Sequence, residues 1–202
     1  IREFLRAKPN GELVWQQLQG LAYGRFAAAH AKLYPGVKRF LWRCKQHGHS
    51  VTVVSHKTEY GHHDNERAPL RQIASDFLNA HGLLDLETGL IQRVVYTSTR
   101  EEKVDFIKNA SFDWFVDDLP EVVYALEGTP RIKAVNFDPM LGTSGSSVGR
   151  KSPFMSLSDW QQIDALINGD WSTQELTGIA NKLIQPEVIE VKKLWAGGNA
   201  GV

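Results

Sequence analysis

Four short apolar runs, rich in β-branched and aromatic residues, recur along this chain near residues 51–55, 92–98, 112–117 and 132–137. Runs of that length bounded by polar turns read as buried strands. Between them lie stretches with helical spacing, such as Leu70, Ile73, Ala74, Phe77, Leu78 and His81. Strands that alternate with helices pair in parallel, because a parallel connection needs a crossover long enough to hold a helix. The expected fold is therefore α/β, with a doubly wound parallel sheet.

Outside the alternating region, residues 12–33 are good helix formers, and Gly20 and Gly24 are expected to break the run into pieces. Residues 37–44 read as an amphipathic helix ended near Gly48. A Gly/Ser-rich stretch follows residue 141. After it, helices are expected at 159–167, capped by Ser156 or Ser158, and at 173–184. The resulting organisation is a helical region at 1–36, an α/β core at 37–141, a linker or mobile loop at 142–155, and a helical tail at 156–202 leading toward a further domain.

The 202 residues carry 23 basic and 23 acidic side chains, so no global field favours nucleic acid or an anionic membrane surface. The six tryptophans are scattered without a stacking pattern beside basic residues, so no nucleic-acid platform is expected. No apolar run approaches the ~20 residues of a membrane span. A single cysteine, Cys44, cannot form an intramolecular disulfide and is expected as a buried filler in its helix; a reducing, cytoplasmic setting is the matching expectation.

The chemistry concentrates at the ends of the strand-like runs. Phe115-Val116-Asp117-Asp118-Leu119-Pro120 leads an apolar strand into adjacent carboxylates and then a proline that can open a helix. Ligands of open α/β sheets sit beyond the carboxyl ends of the strands, and paired carboxylates suit Mg²⁺, a hard cation that prefers oxygen. Ser55 and His56 end the run at 51–55, and Lys103 follows the run at 92–98, with Arg100 a nearby alternative cation. Each residue also has an ordinary reading: the aspartates as helix caps, Ser55 as a turn residue, Lys103 as a solvated charge. His47, His49, His62 and His63 read as loop histidines, since no cysteine pair or His-Glu-x-x-His helix accompanies them.

Taken in order, Ser55, Lys103, Asp117 and Asp118 resemble the second, third and fourth motifs of the haloacid dehalogenase superfamily, over roughly residues 37–138. The resemblance implies a Mg²⁺-dependent phosphatase or phosphotransferase acting on a small phosphorylated metabolite through an aspartyl-phosphate. In it, Ser55 and Lys103 would be catalytic, Ser55, His56 and Lys103 would bind phosphate, and Asp117 and Asp118 would hold the metal. The region 1–36 would be the remainder of a first helical region or a small cap.

The family's first motif, Asp-x-Asp after a central strand, has no counterpart here, because no aspartate precedes Asp64. The expectation is that the missing strand and nucleophile precede Ile1, and that this polypeptide alone binds phosphate and metal weakly. The alternative is a non-catalytic scaffold or regulatory module of the same fold beside a kinase-like domain. The glycine-rich end at 194–202 resembles the opening of an aminoglycoside-phosphotransferase-like nucleotide loop, which would make that partner a fused domain.

Overall fold

The computed structural model describes residues 2–61, 64, 66–84, 89–141 and 154–170. Its contacts divide the chain into Ile1–Asn168 and Gly169–Val202. The expected helix at 173–184, the glycine-rich end and residues 142–153 of the expected linker lie outside the described residues, as do His62 and His63.

The first unit alternates helices and strands as the spacing predicts. Helices α1 (Arg2–Arg6), α2 (Gly11–Leu21), α3 (Ala27–His30) and α4 (Val37–Gln46) precede strand β1 (Thr52–His56). Then follow α5 (Leu70–Ala80), β2 (Arg93–Thr97), α6 (Arg100–Asn109), β3 (Trp114–Asp117), α7 (Pro120–Ala125), β4 (Lys133–Phe137), β5 (Met155–Leu157) and α8 (Trp160–Asn168). Every strand ladder is parallel: β1 pairs β2, and β4 pairs both β3 and β5. The fold is mixed α/β built on parallel strands.

The ladders form two sheets, ordered β1-β2 and β3-β4-β5, with no pairing between β1 and β3 among the described residues. Side-chain alternation nevertheless binds both sheets into the same two cores. Val53, Val94, Val116, Val135 and Phe137 enter one cluster, which contains Phe40, Leu41 and Cys44 of α4 and Ile163 of α8. Val54, Phe115 and Ala134 enter the other, around Val104 and Ile107 of α6 and Val122 and Leu126 of α7. Helices thus cover both faces. Cys44 is buried as expected, and burial pushes its thiol pKa up.

Two elements depart from expectation. Met155–Leu157 is a strand where the sequence reading has a loop passing into a helical tail; three residues are too few to show a period of two, and the free edge of β4 recruits them. The following helix starts as expected, but its cap is Asp159, whose Oδ1 accepts from the backbone N–H groups of Gln161 (2.8 Å) and Gln162 (2.9 Å). Helix α8 belongs to the first unit. Arg43 of α4 donates to Asp164 of α8 at 2.9 Å, with both side chains almost fully buried. Asn168 Nδ2 adds a second donor to the same carboxylate oxygen at 3.0 Å.

Of the two glycines expected to break the N-terminal helical run, Gly24 does so and Gly20 does not. Gly20 lies inside α2 and does not break it. Gly24 sits in a π-helical turn at Ala22–Phe26 with non-helical dihedrals, so the kink falls there. The two residues lie one turn apart and bring the helix backbone against the loop before α5. A Cβ on Gly24 would stand 3.0 Å from Ala68 Cβ, and one on Gly61 would stand 3.0 Å from Gly20 Cα.

Candidate functional site

The site begins with the start of α6. Thr99 caps this helix, its hydroxyl accepting from Glu102 N at 3.1 Å, while Glu102 Oε2 reaches back to Ser98 N at 2.8 Å. This reciprocal arrangement fixes the first turn. Lys103 then falls on the helix face turned toward the sheet, beside Val104 and Ile107. Asp117, the last residue of β3, projects to the same face as Phe115, two residues back along the pleat.

Lys103 Nζ and Asp117 Oδ2 form a salt bridge there, with the residues only 6% and 8% exposed. The other oxygen, Asp117 Oδ1, accepts from Leu119 N at 2.9 Å. Lys103 Nζ also lies 5.7 Å from the centre of the Phe115 ring. Both oxygens of Asp117 thus have a donor. Asp118, one step further, is exposed. Neither aspartate caps α7, whose N-cap is Leu119 with no side-chain bond; Pro120 opens that helix, where a missing N–H costs nothing.

Asn136 extends the row. It is the ladder partner of Asp117, so the two side chains share a face at the carboxyl end of their strands. Asn136 is 9% exposed, and its Nδ2 donates to Ser156 Oγ on β5 at 3.4 Å. Its Oδ1 is buried and has no hydrogen-bond partner among the described residues. Nothing in the spacing of the sequence marks Asn136, because its place beside Asp117 follows from strand register alone.

His56, at the end of β1, shares the face of Val54 and so looks toward α6. Its pKa is lowered, first by desolvation, then by the positive charges of Lys103 and Arg100, with Asp117 opposing. Desolvation acts although much of the ring remains open to solvent, because the neighbouring protein displaces water from one side. Arg100 Nε is buried without a hydrogen-bond partner among the described residues. Lys103 and Arg100 thus act on His56 from this end of the sheet, with Asp117 opposing them.

Ser55 is elsewhere. It pairs with Tyr96 and lies with Val53 and Lys57 on the opposite face of β1, lining a pocket against α5 and the N-terminal helices. Of the residues the sequence singles out, the structure brings together Lys103, Asp117, His56 and Arg100. It leaves Asp118 at the exposed rim and Ser55 across the sheet.

Among the described residues, no three His, Cys, Asp or Glu side chains are grouped to hold a metal, and no helix is long and apolar enough to cross a membrane. Comparison with protein-family models, with curated proteins and with solved structures finds no match to the chain.

Proposed function

We propose that this chain carries the anion- and cation-binding part of a phosphoryl-transfer site of haloacid dehalogenase type, acting on a small phosphorylated metabolite. The observation that carries this reading is the buried Lys103–Asp117 pair at the carboxyl end of a parallel strand, flanked by Arg100 and His56. Phosphoryl transfer asks mainly for positioning and for neutralising charge on the equatorial oxygens. Lys103 and Arg100 would neutralise that charge, and Asp117 holds the Lys103 ammonium in place until an anion arrives.

The separation of the two sheets supports the same reading. β1 and β3 share both cores yet form no ladder with each other among the described residues. A parallel strand placed between them would satisfy the backbone groups along both edges. An aspartate at its carboxyl end would then stand between His56 and Asp117, where a nucleophile is needed.

Mg²⁺ suits the donors at this end. Asp118 offers an exposed carboxylate, Asp117 offers oxygens if Lys103 turns to the substrate, and Mg²⁺ commonly uses one or two carboxylates with waters and substrate phosphate for the rest. Bound there, the cation would add charge neutralisation at the phosphoryl oxygens.

A second reading rests on Ser55. Its hydroxyl lines the far side of β1, and both oxygens of Asp117 are already occupied, as suits a non-catalytic scaffold of the same architecture. Amide NMR titration with Mg²⁺ and inorganic phosphate separates the two. The phosphoryl-transfer reading expects shifts at Arg100, Lys103, Asp117 and Asp118 that require both ligands and vanish in Asp118→Asn. An unchanged spectrum into the millimolar range leaves the scaffold.

A further inference from the structure

The pocket on the other face of β1 has its own chemistry and does not depend on the phosphoryl-transfer reading. It is an open pocket of about 230 Å³ between β1, β2, α5 and the segment from Tyr23 to Ala31. Drug-sized ligands occupy roughly 300–1,000 Å³, so the occupant here is small. Small side chains, Ala27 and Ala31 on one wall and Ala74 on another, open the space, while Val53 and Phe77 keep it apolar.

Three polar groups meet these walls. Lys57 is half-buried, and no acid pairs with it among the described residues; its ammonium lies 4.7 Å from the centre of the Tyr23 ring. Desolvation alone lowers its pKa, with no opposing negative charge. Ser55 contributes a hydroxyl with no hydrogen bond among the described residues. Tyr96 is anchored by Ser75, the two hydroxyl oxygens 2.9 Å apart. A partly desolvated cation without a counter-charge is costly, and an anion in the pocket would relieve that cost.

We infer that this pocket binds a small monocarboxylate with an apolar body, its carboxylate on Lys57 and Ser55 and its hydrocarbon between Ala74 and Phe77. The charge count selects this class. One ammonium balances one negative charge, whereas a phosphate dianion would enter with a second charge that no cation among the lining residues meets.

Isothermal titration calorimetry of the full chain tests this with phenylacetate, its neutral counterpart phenylacetamide, and inorganic phosphate. Phenylacetate should bind, and phenylacetamide should bind about tenfold or more weakly, the worth of one hydrogen bond to a charged group. Lys57→Met should weaken phenylacetate by a similar factor, and Lys57→Arg should retain binding. Ala74→Phe should abolish binding by filling the space; Ala27→Leu narrows the pocket from the opposite wall if that variant does not fold. Equal affinity for acid and amide, indifference to Lys57→Met, absence of phenylacetate binding into the millimolar range, or displacement of phenylacetate by phosphate would each overturn the assignment.

Discussion

Lys103 and Asp117 meet across the interface between α6 and β3 as a buried ion pair, fourteen residues apart in the chain. Such pairs are held by geometry more than by net energy, because the cost of removing two charges from water offsets much of their attraction. Losing one partner is far worse than losing both.

Lys103→Met should therefore destabilise the fold by about 3–5 kcal/mol, and pairing it with Asp117→Leu should recover much of that loss. Denaturant unfolding of the two single variants and the double variant gives the coupling directly. Additive losses would mean that the two side chains do not depend on each other. For the same reason Asp118→Asn is the cleaner metal-site variant: Asp118 is exposed, whereas Asp117→Asn also breaks the pair.

The environment of His56 predicts the sign of a pH effect. Its pKa is lowered from about 6.5, so below that value the unfolded chain takes up a proton before the folded chain does. Stability from this residue is present above about 6.5 and is lost as pH falls toward the folded-state pKa. His56→Gln should flatten that part of the stability–pH curve, measured by urea midpoints between neutral and mildly acidic pH. A curve unchanged by the substitution would remove His56 from the field of Lys103 and Arg100.

Asp164 should be the costliest single carboxylate outside the candidate site. It holds Arg43 at 2.9 Å in the core, with Arg39 at 3.4 Å on its other oxygen. Asp164→Ala takes a buried carboxylate away from two guanidinium groups, and a loss of about 3–5 kcal/mol is expected. Release of α8 should accompany it, seen as faster amide exchange across Trp160–Asn168.

Gly24→Val should loosen the N-terminal helices from the loop before α5. Its Cβ would stand 3.0 Å from Ala68, and overpacking of this kind costs about 1–3 kcal/mol. Limited proteolysis should then cut first within residues 1–36. Resistance equal to the parent protein would mean that the loop yields without cost.

The local pattern of the chain was enough to define its four longer strands, their parallel sense and the helices between them, because strand and helix periods are written in consecutive residues. Asp117 and Lys103 were legible as site candidates for the same reason, one ending such a strand and the other following one. What only the tertiary structure decided was which groups share a face. Strand alternation puts His56 toward α6 and Ser55 away from it, a difference of one residue that reverses the side chain's surroundings.

Asn136 became a neighbour of Asp117 through ladder register, and Met155–Leu157 became a strand through the open edge of β4. Lys57 gained its significance from a pocket assembled by elements far apart in the chain. Each of these depends on contacts between distant segments, which no window of consecutive residues contains. Burial, register and the shaping of a pocket are properties of the packed whole.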